Sequence, residues 1–170
     1  KLDMLIWLLA DAMGPALTTY TAQNMGAGRW DRVCKGNRIG AAMSVAAVGT
    51  VSLGLYFLTA PLGGLFVPVQ DAAAVVPQAV AFMRRMAPFF LFYALAESFS
   101  GACCGTGDTV RPMILTLLSI CLLRVLGILL VLPRQHTMEC IIDIYISSWI
   151  AAGIGFLILW QWEKNRVQKP

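Results

Sequence analysis

A chain of 170 residues is long enough for one ordinary domain, but this one is 58% hydrophobic and only 13% charged, with a formal net charge of +4. A soluble domain carries about 25% charged residues to cover its surface. With about half of that, much of this surface must face lipid, which excludes a soluble enzyme and leaves no room for a nucleic-acid-binding domain.

The uncharged runs divide the chain into an all-α, polytopic transmembrane helix bundle. No charge occurs between Arg38 and Asp71, between Asp108 and Arg124 apart from Arg111, or between Asp143 and Glu163. Each run is on the order of the ~20 residues that span the hydrocarbon of a bilayer as a helix. Five spans are predicted, at about 2–24, 37–67, 88–104, 112–132 and 141–162, the second with a part outside the bilayer. Between the second and third, 71–86 reads as a helix lying at the interface. Its apolar face is Ala72, Val75, Val76, Ala79, Val80 and Met83, with Arg84 and Arg85 near its end.

If the spans alternate, Arg29, Arg32, Lys35, Arg38, Arg111, Lys164, Arg166 and Lys169 share one side, and Lys1, Arg84, Arg85 and Arg134 the other. The positive-inside rule puts the richer side, and the C-terminus, in the cytoplasm. Trp160 and Trp162 before the charged tail fit an interfacial aromatic belt. The chain opens at Lys1 without the order of a signal peptide, so it reads as a fragment. Cys34, Cys103, Cys104, Cys121 and Cys140 show no metal spacing and read as small packing residues. His136, in an outer loop, carries no assigned role.

The segment Gly105-Thr-Gly-Asp-Thr109 looks at first like a phosphate loop. Such a loop needs a strand before it and a Lys after its last Gly, and here a membrane helix precedes it and no Lys follows. It reads as a tight turn instead: Gly105 and Gly107 permit positive φ, Asp108 caps the next helix and Pro112 sits in its first turn. The turn Gln23-Asn-Met-Gly-Ala-Gly28 is built alike. Trp30 and its basic neighbours follow it as a headgroup-facing segment.

These two turns carry a family resemblance. Thr19-Tyr-Thr-Ala-Gln-Asn-Met-Gly-Ala-Gly28, then a basic segment and a long glycine- and alanine-rich span, resembles the multidrug and toxic compound extrusion (MATE) transporters. Gly101-Ala-Cys-Cys-Gly-Thr-Gly-Asp-Thr-Val-Arg-Pro-Met113 is similar to the family's second signature, with Cys104 where the family often has Arg. The resemblance implies a two-lobe transporter. The stretch Leu123–Pro133 and the tail Glu163–Pro170 point to the second lobe without its first helix, that is, helices eight to twelve, with the N-terminal lobe missing. It further implies a plasma-membrane antiporter that exchanges H⁺ or Na⁺ for small organic cations by alternating access, with no other cofactor. A lipid-linked substrate flippase of the same superfamily and a truncated, non-transporting membrane fragment are the alternatives. No Ser/His/Asp set has catalytic spacing, so enzymatic chemistry is not expected.

Ionisable residues inside a membrane mark function by default, because each costs roughly 2.5–3.5 kcal/mol to insert. Three qualify. At ~1.5 Å per residue, Glu97 lies ~13 Å and Arg124 ~12 Å from the outer face, and Asp11 is ~15 Å from Lys1. Glu97 and Arg124 thus fall at one depth, where they form either a structural ion pair or, if unpaired, a coupling carboxylate and a pathway cation. A pair would shift the coupling role to Asp11. In one branch of the family, the resemblance places the acid of this helix at Tyr93, one turn before Glu97. Tyr20, Gln23, Phe89, Phe92 and Tyr93 are candidates to line a cavity for flat cations.

Overall fold

The computed structural model describes residues 2–133 and 137–167. The readings of Lys1, Arg134, His136 and Lys169 lie outside the described residues. The helices are α1 (Met4–Gly26), α2 (Trp30–Phe66), α3 (Val69–Met86), α4 (Phe90–Gly105), α5 (Val110–Thr116), α6 (Leu123–Leu130) and α7 (Met138–Val167). Among the described residues, four helical stretches are long and apolar enough to cross a membrane: Trp30–Phe66, Gln70–Gly105, Val110–Leu130 and Met138–Val167. α1 has the length but not the apolarity, because Asp11, Gly14, Pro15 and its threonines interrupt the run.

Three boundaries differ from the expected ones. The stretch expected at the interface is not separate: α3 passes through a single 3₁₀ turn, Ala87–Phe89, into α4. α2 begins at Trp30 rather than Asn37, so the basic segment is already helical, and the Trp30 ring packs 6.1 Å from that of Trp160. The fourth span is interrupted by a π-helical turn, Leu117–Leu122, between α5 and α6.

α4 is the central helix, packed against α1, α2 and α7. Its contact with α1 is backbone against backbone. A methyl group at Gly101 would collide with the carbonyl of Gly14, and Thr18 Oγ1 reaches the carbonyl oxygens of Gly14 and Gly101, each at 3.0 Å. Gly105, expected in the turn, is instead buried in the last turn of α4 against Thr18 and Thr21. The positive φ falls on Gly107 (93°), and on Gly28 (67°) in the other turn. The N-cap of the next helix is Thr109 rather than the expected Asp108, which stands one residue earlier and accepts the Arg111 amide on Oδ1 at 3.3 Å. The five cysteines are free thiols.

Two belts of charge bracket the bundle. At one, Arg85 Nη2 lies 2.7 Å from Asp143 Oδ2, Arg85 Nη1 3.6 Å from Glu139 Oε2, and Arg84 sits over the Tyr56 ring at 5.5 Å. At the other, Glu163 is fully buried, its Oε1 3.2 Å from Arg111 Nη1 and its Oε2 3.0 Å from Arg166 Nη2. Arg111 also meets Asp108 at 2.6 Å and covers the Trp162 ring at 4.2 Å. The twenty residues from Asp143 to Glu163 along α7 correspond to about 30 Å of helix, the thickness of a bilayer's hydrocarbon core. The π turn and α6 line the outside of this slab with exposed Leu117, Leu118, Leu122, Val125 and Leu129. In water such a face would be a liability, and in lipid it is the expected surface.

Candidate functional site

Midway between the belts, α1 and α4 bring two acids to one phenol. Asp11 and Gly14 stand one turn apart on α1, and Tyr93 and Glu97 one turn apart on α4, so the two pairs face each other across the glycine contact. The Tyr93 hydroxyl donates to Asp11 Oδ1 at 2.6 Å. Glu97 sits beside Gly14, where an added methyl would lie 3.5 Å from Glu97 Oε2, and its carboxylate is within electrostatic reach of Asp11 and Tyr93. Tyr93 is buried, Glu97 half-buried and Asp11 exposed, so the group opens on the Asp11 side. A phenol has one proton to donate, and in this arrangement it goes to Asp11 while Glu97 stands next to it.

Aromatic rings back this group. The Trp7 ring centroid is 4.6 Å from that of Tyr93 and 5.7 Å from that of Trp149, and Phe90 lies 5.0 Å from Trp149. Trp7 is one turn before Asp11 on the same face of α1, a spacing legible in the sequence. Trp149, fully buried on α7, has an indole N–H without an acceptor among the described residues. Neither Trp7 nor Trp149 stood out in the sequence, because a tryptophan in a membrane helix reads first as packing.

Glu97 and Arg124 do not pair. Arg124 Nε donates to Ser148 Oγ at 2.9 Å, and its guanidinium lies over the Tyr145 ring at 4.1 Å. Equal depth did not bring the charges together, because Glu97 faces α1 whereas α6 packs on α7 and turns Arg124 toward that helix. Tyr145 and Ser148, three residues apart on one face of α7, are partners that sequence reasoning did not identify. Ser148 Oγ itself donates to the Tyr145 carbonyl at 2.7 Å, which leaves its lone pairs to Arg124.

The other candidates lie elsewhere. Tyr20 is ~13 Å along α1 from Asp11. Its hydroxyl donates to the Arg32 carbonyl at 3.1 Å and its ring covers Gly36. Gln23 is exposed one turn further on and takes part in the turn through its carbonyl, which accepts the Ala27 amide at 3.1 Å. Phe89 and Phe92 stack at 6.5 Å, with Phe92 against Gly153 of α7, as helix-packing residues. Among the described residues no group of three or more His, Cys, Asp or Glu side chains is placed to hold a metal ion.

What this arrangement can do is bind a small cation or a proton. Two carboxylates around one phenol in a low dielectric repel each other, and a proton, Na⁺ or an organic cation relieves that repulsion. The faces of Trp7 and Tyr93 add the quadrupole that favours a flat cation. In comparison with known proteins, residues 1–130 match the family model described as MatE. No curated protein matches the chain.

Proposed function

From the premise that the chain belongs to the MatE family, a family of membrane transporters and not of enzymes, we propose that it is a cation-coupled antiporter lobe that exports organic cations in exchange for H⁺ or Na⁺. The observation that carries this reading is the Tyr93–Asp11 hydrogen bond with Glu97 alongside it. Coupling follows from mutual exclusion: an organic cation and the coupling ion compete for the same two carboxylates, so either occupant expels the other. Tyr93 is a positioning residue, because its single proton biases which carboxylate is left to accept a cation. Alternating access is then rocking of this lobe against a companion N-terminal lobe, around a site at mid-depth.

On this reading the chain corresponds to helices eight to twelve of the family's second lobe, in the plasma membrane, with the Glu163 belt and the C-terminus on the cytoplasmic side. The charge distribution supports that orientation: Arg29, Arg32, Lys35, Arg38, Arg111, Lys164 and Arg166 gather at the Glu163 end.

Efflux of ethidium by the full-length protein in energised vesicles tests the proposal. Glu97→Gln and Asp11→Asn together are expected to reduce gradient-driven efflux at least tenfold, and Tyr93→Phe several-fold. Efflux that stays at the wild-type rate in the double variant would sink the coupling assignment.

A further inference from the structure

The failure of Arg124 to pair with Glu97 leaves a guanidinium inside the span with no carboxylate partner among the described residues. Of its five N–H donors, the one on Nε goes to Ser148. Those on the two Nη atoms have no acceptor among the described residues, and one face of the group rests on the Tyr145 ring. A cation held at this depth with most of its donors open is costly unless something else completes it.

The way Arg124 is held argues against an incidental position. The π turn Leu117–Leu122 ends immediately before α6. An extra residue in such a turn advances the following side chains about 100° around the helix axis, and the first full turn after it carries Arg124 onto α7. Ser148 then fixes Nε from one side, and Tyr145 supports the plane from below. What remains free is the forked Nη edge, the geometry that matches a carboxylate or phosphate through two parallel hydrogen bonds.

Arg124 also belongs to the same layer as the acids. The Tyr93 ring lies 6.1 Å from Trp149, and Trp149 lies 6.3 Å from Tyr145. Tyr93, bonded to Asp11, is within electrostatic reach of Arg124. α6 ends at Leu130, about 9 Å beyond Arg124, so the guanidinium sits well inside the helical span rather than at its end.

We propose that Arg124, clamped by Ser148 and Tyr145, is an oxyanion-binding site, and that it selects solutes that carry a carboxylate or phosphate in addition to their cationic group. This deepens the antiporter reading, which supplies the cationic half of the recognition, but its chemistry is separate. The acids choose the positive end and Arg124 the negative one.

Three probes of one ring size separate the two: trimethylanilinium, benzoate and 4-(trimethylammonio)benzoate, titrated against the full-length protein in phosphatidylcholine nanodiscs. The zwitterion is expected to bind at least tenfold tighter than trimethylanilinium. Arg124→Gln is expected to abolish that preference while leaving the trimethylanilinium Kd within twofold, and Arg124→Lys to retain part of it. If Arg124→Gln does not fold, Ser148→Ala with Tyr145→Leu loosens the clamp and is expected to lower the preference several-fold. Equal affinities for the zwitterion and the cation in the wild type, or a preference that survives Arg124→Gln, would overturn the proposal. Failure of trimethylanilinium to bind counts against the cation site alone, since Arg124-dependent benzoate binding still establishes the oxyanion site. Repeating the titration in phosphatidylglycerol nanodiscs identifies the source of the oxyanion. If the anionic lipid erases the preference, and Arg124→Gln stops its retention in native mass spectra, the site binds a lipid phosphate and the solute assignment is overturned.

Discussion

The two charge belts use the same chemistry, arginine against carboxylate, in opposite surroundings. At the first, Arg85 and Asp143 make a bidentate pair while 42% and 55% of their side chains stay exposed. At the second, Glu163 has no exposure and two arginines converge on it, both also lying against the Trp162 ring. A solvent-exposed pair gains little, because water competes for both partners. A buried carboxylate needs its partners, because losing them leaves a charge without solvation. The Glu163 belt therefore fastens the α4–α5 turn to the end of α7, whereas the Arg85 belt marks a boundary without strongly holding it.

The sharpest way to break this comparison is Glu163→Ala. It is expected to lower stability by about 2–3 kcal/mol, below the full buried-pair range because Arg111 and Arg166 are about half-exposed. Thermal unfolding of the detergent-solubilised protein should show the loss as a clear drop in Tm, and an unchanged Tm would remove the distinction between the belts. Next in size is Asp108. Burial works against its charge, but the Arg111 amide, the Glu163 carboxyl and the Arg111 guanidinium together outweigh it and hold it below the ordinary carboxylate value. A lowered acid contributes stability that is present above its unfolded value of 3.8 and is lost as pH falls through the folded one. Asp108→Asn should therefore cost about 1 kcal/mol at neutral pH, and the gap from wild type should close only below about pH 4. A gap that closed between pH 5 and 7 would contradict this cause. The smallest effect is expected from Asp143→Asn, about 0.5 kcal/mol or less and diminished by salt, because Glu139 stands by to take Arg85. A Tm loss as large as that of Glu163→Ala would show that exposure does not rank the two belts.

Position along a helix was legible in the sequence, and direction was not. Counting residues along the helices put Asp11, Glu97 and Arg124 well inside α1, α4 and the Val110–Leu130 stretch, because the rise per residue is fixed whatever a helix touches. Which way each side chain points depends on helix phase and on neighbours. The π turn at Leu117–Leu122 resets the phase just ahead of Arg124, and no residue type in Leu-Leu-Ser-Ile-Cys-Leu announces it. The same limit explains Tyr20, which shares a helix with Asp11 but turns to α2 through its bond to Arg32. The join between α3 and α4 was hidden by Pro88, a residue that usually starts a helix but here sits inside a 3₁₀ turn that does not break the run. The glycine-rich turns, by contrast, were readable, because a positive φ at Gly28 and Gly107 is a demand the chain can meet with few residues.

The backbone contact between Gly14 and Gly101 has a consequence for timing. With no side chain to compress between them, α1 and α4 have no slack at this crossing, where even a methyl on Gly101 would run into the Gly14 carbonyl. The contact keeps Asp11 and Tyr93 in register with each other. Under the proposed antiport, an ion held there would travel as cargo on one rigid piece, to be exchanged only when the surroundings of that piece change.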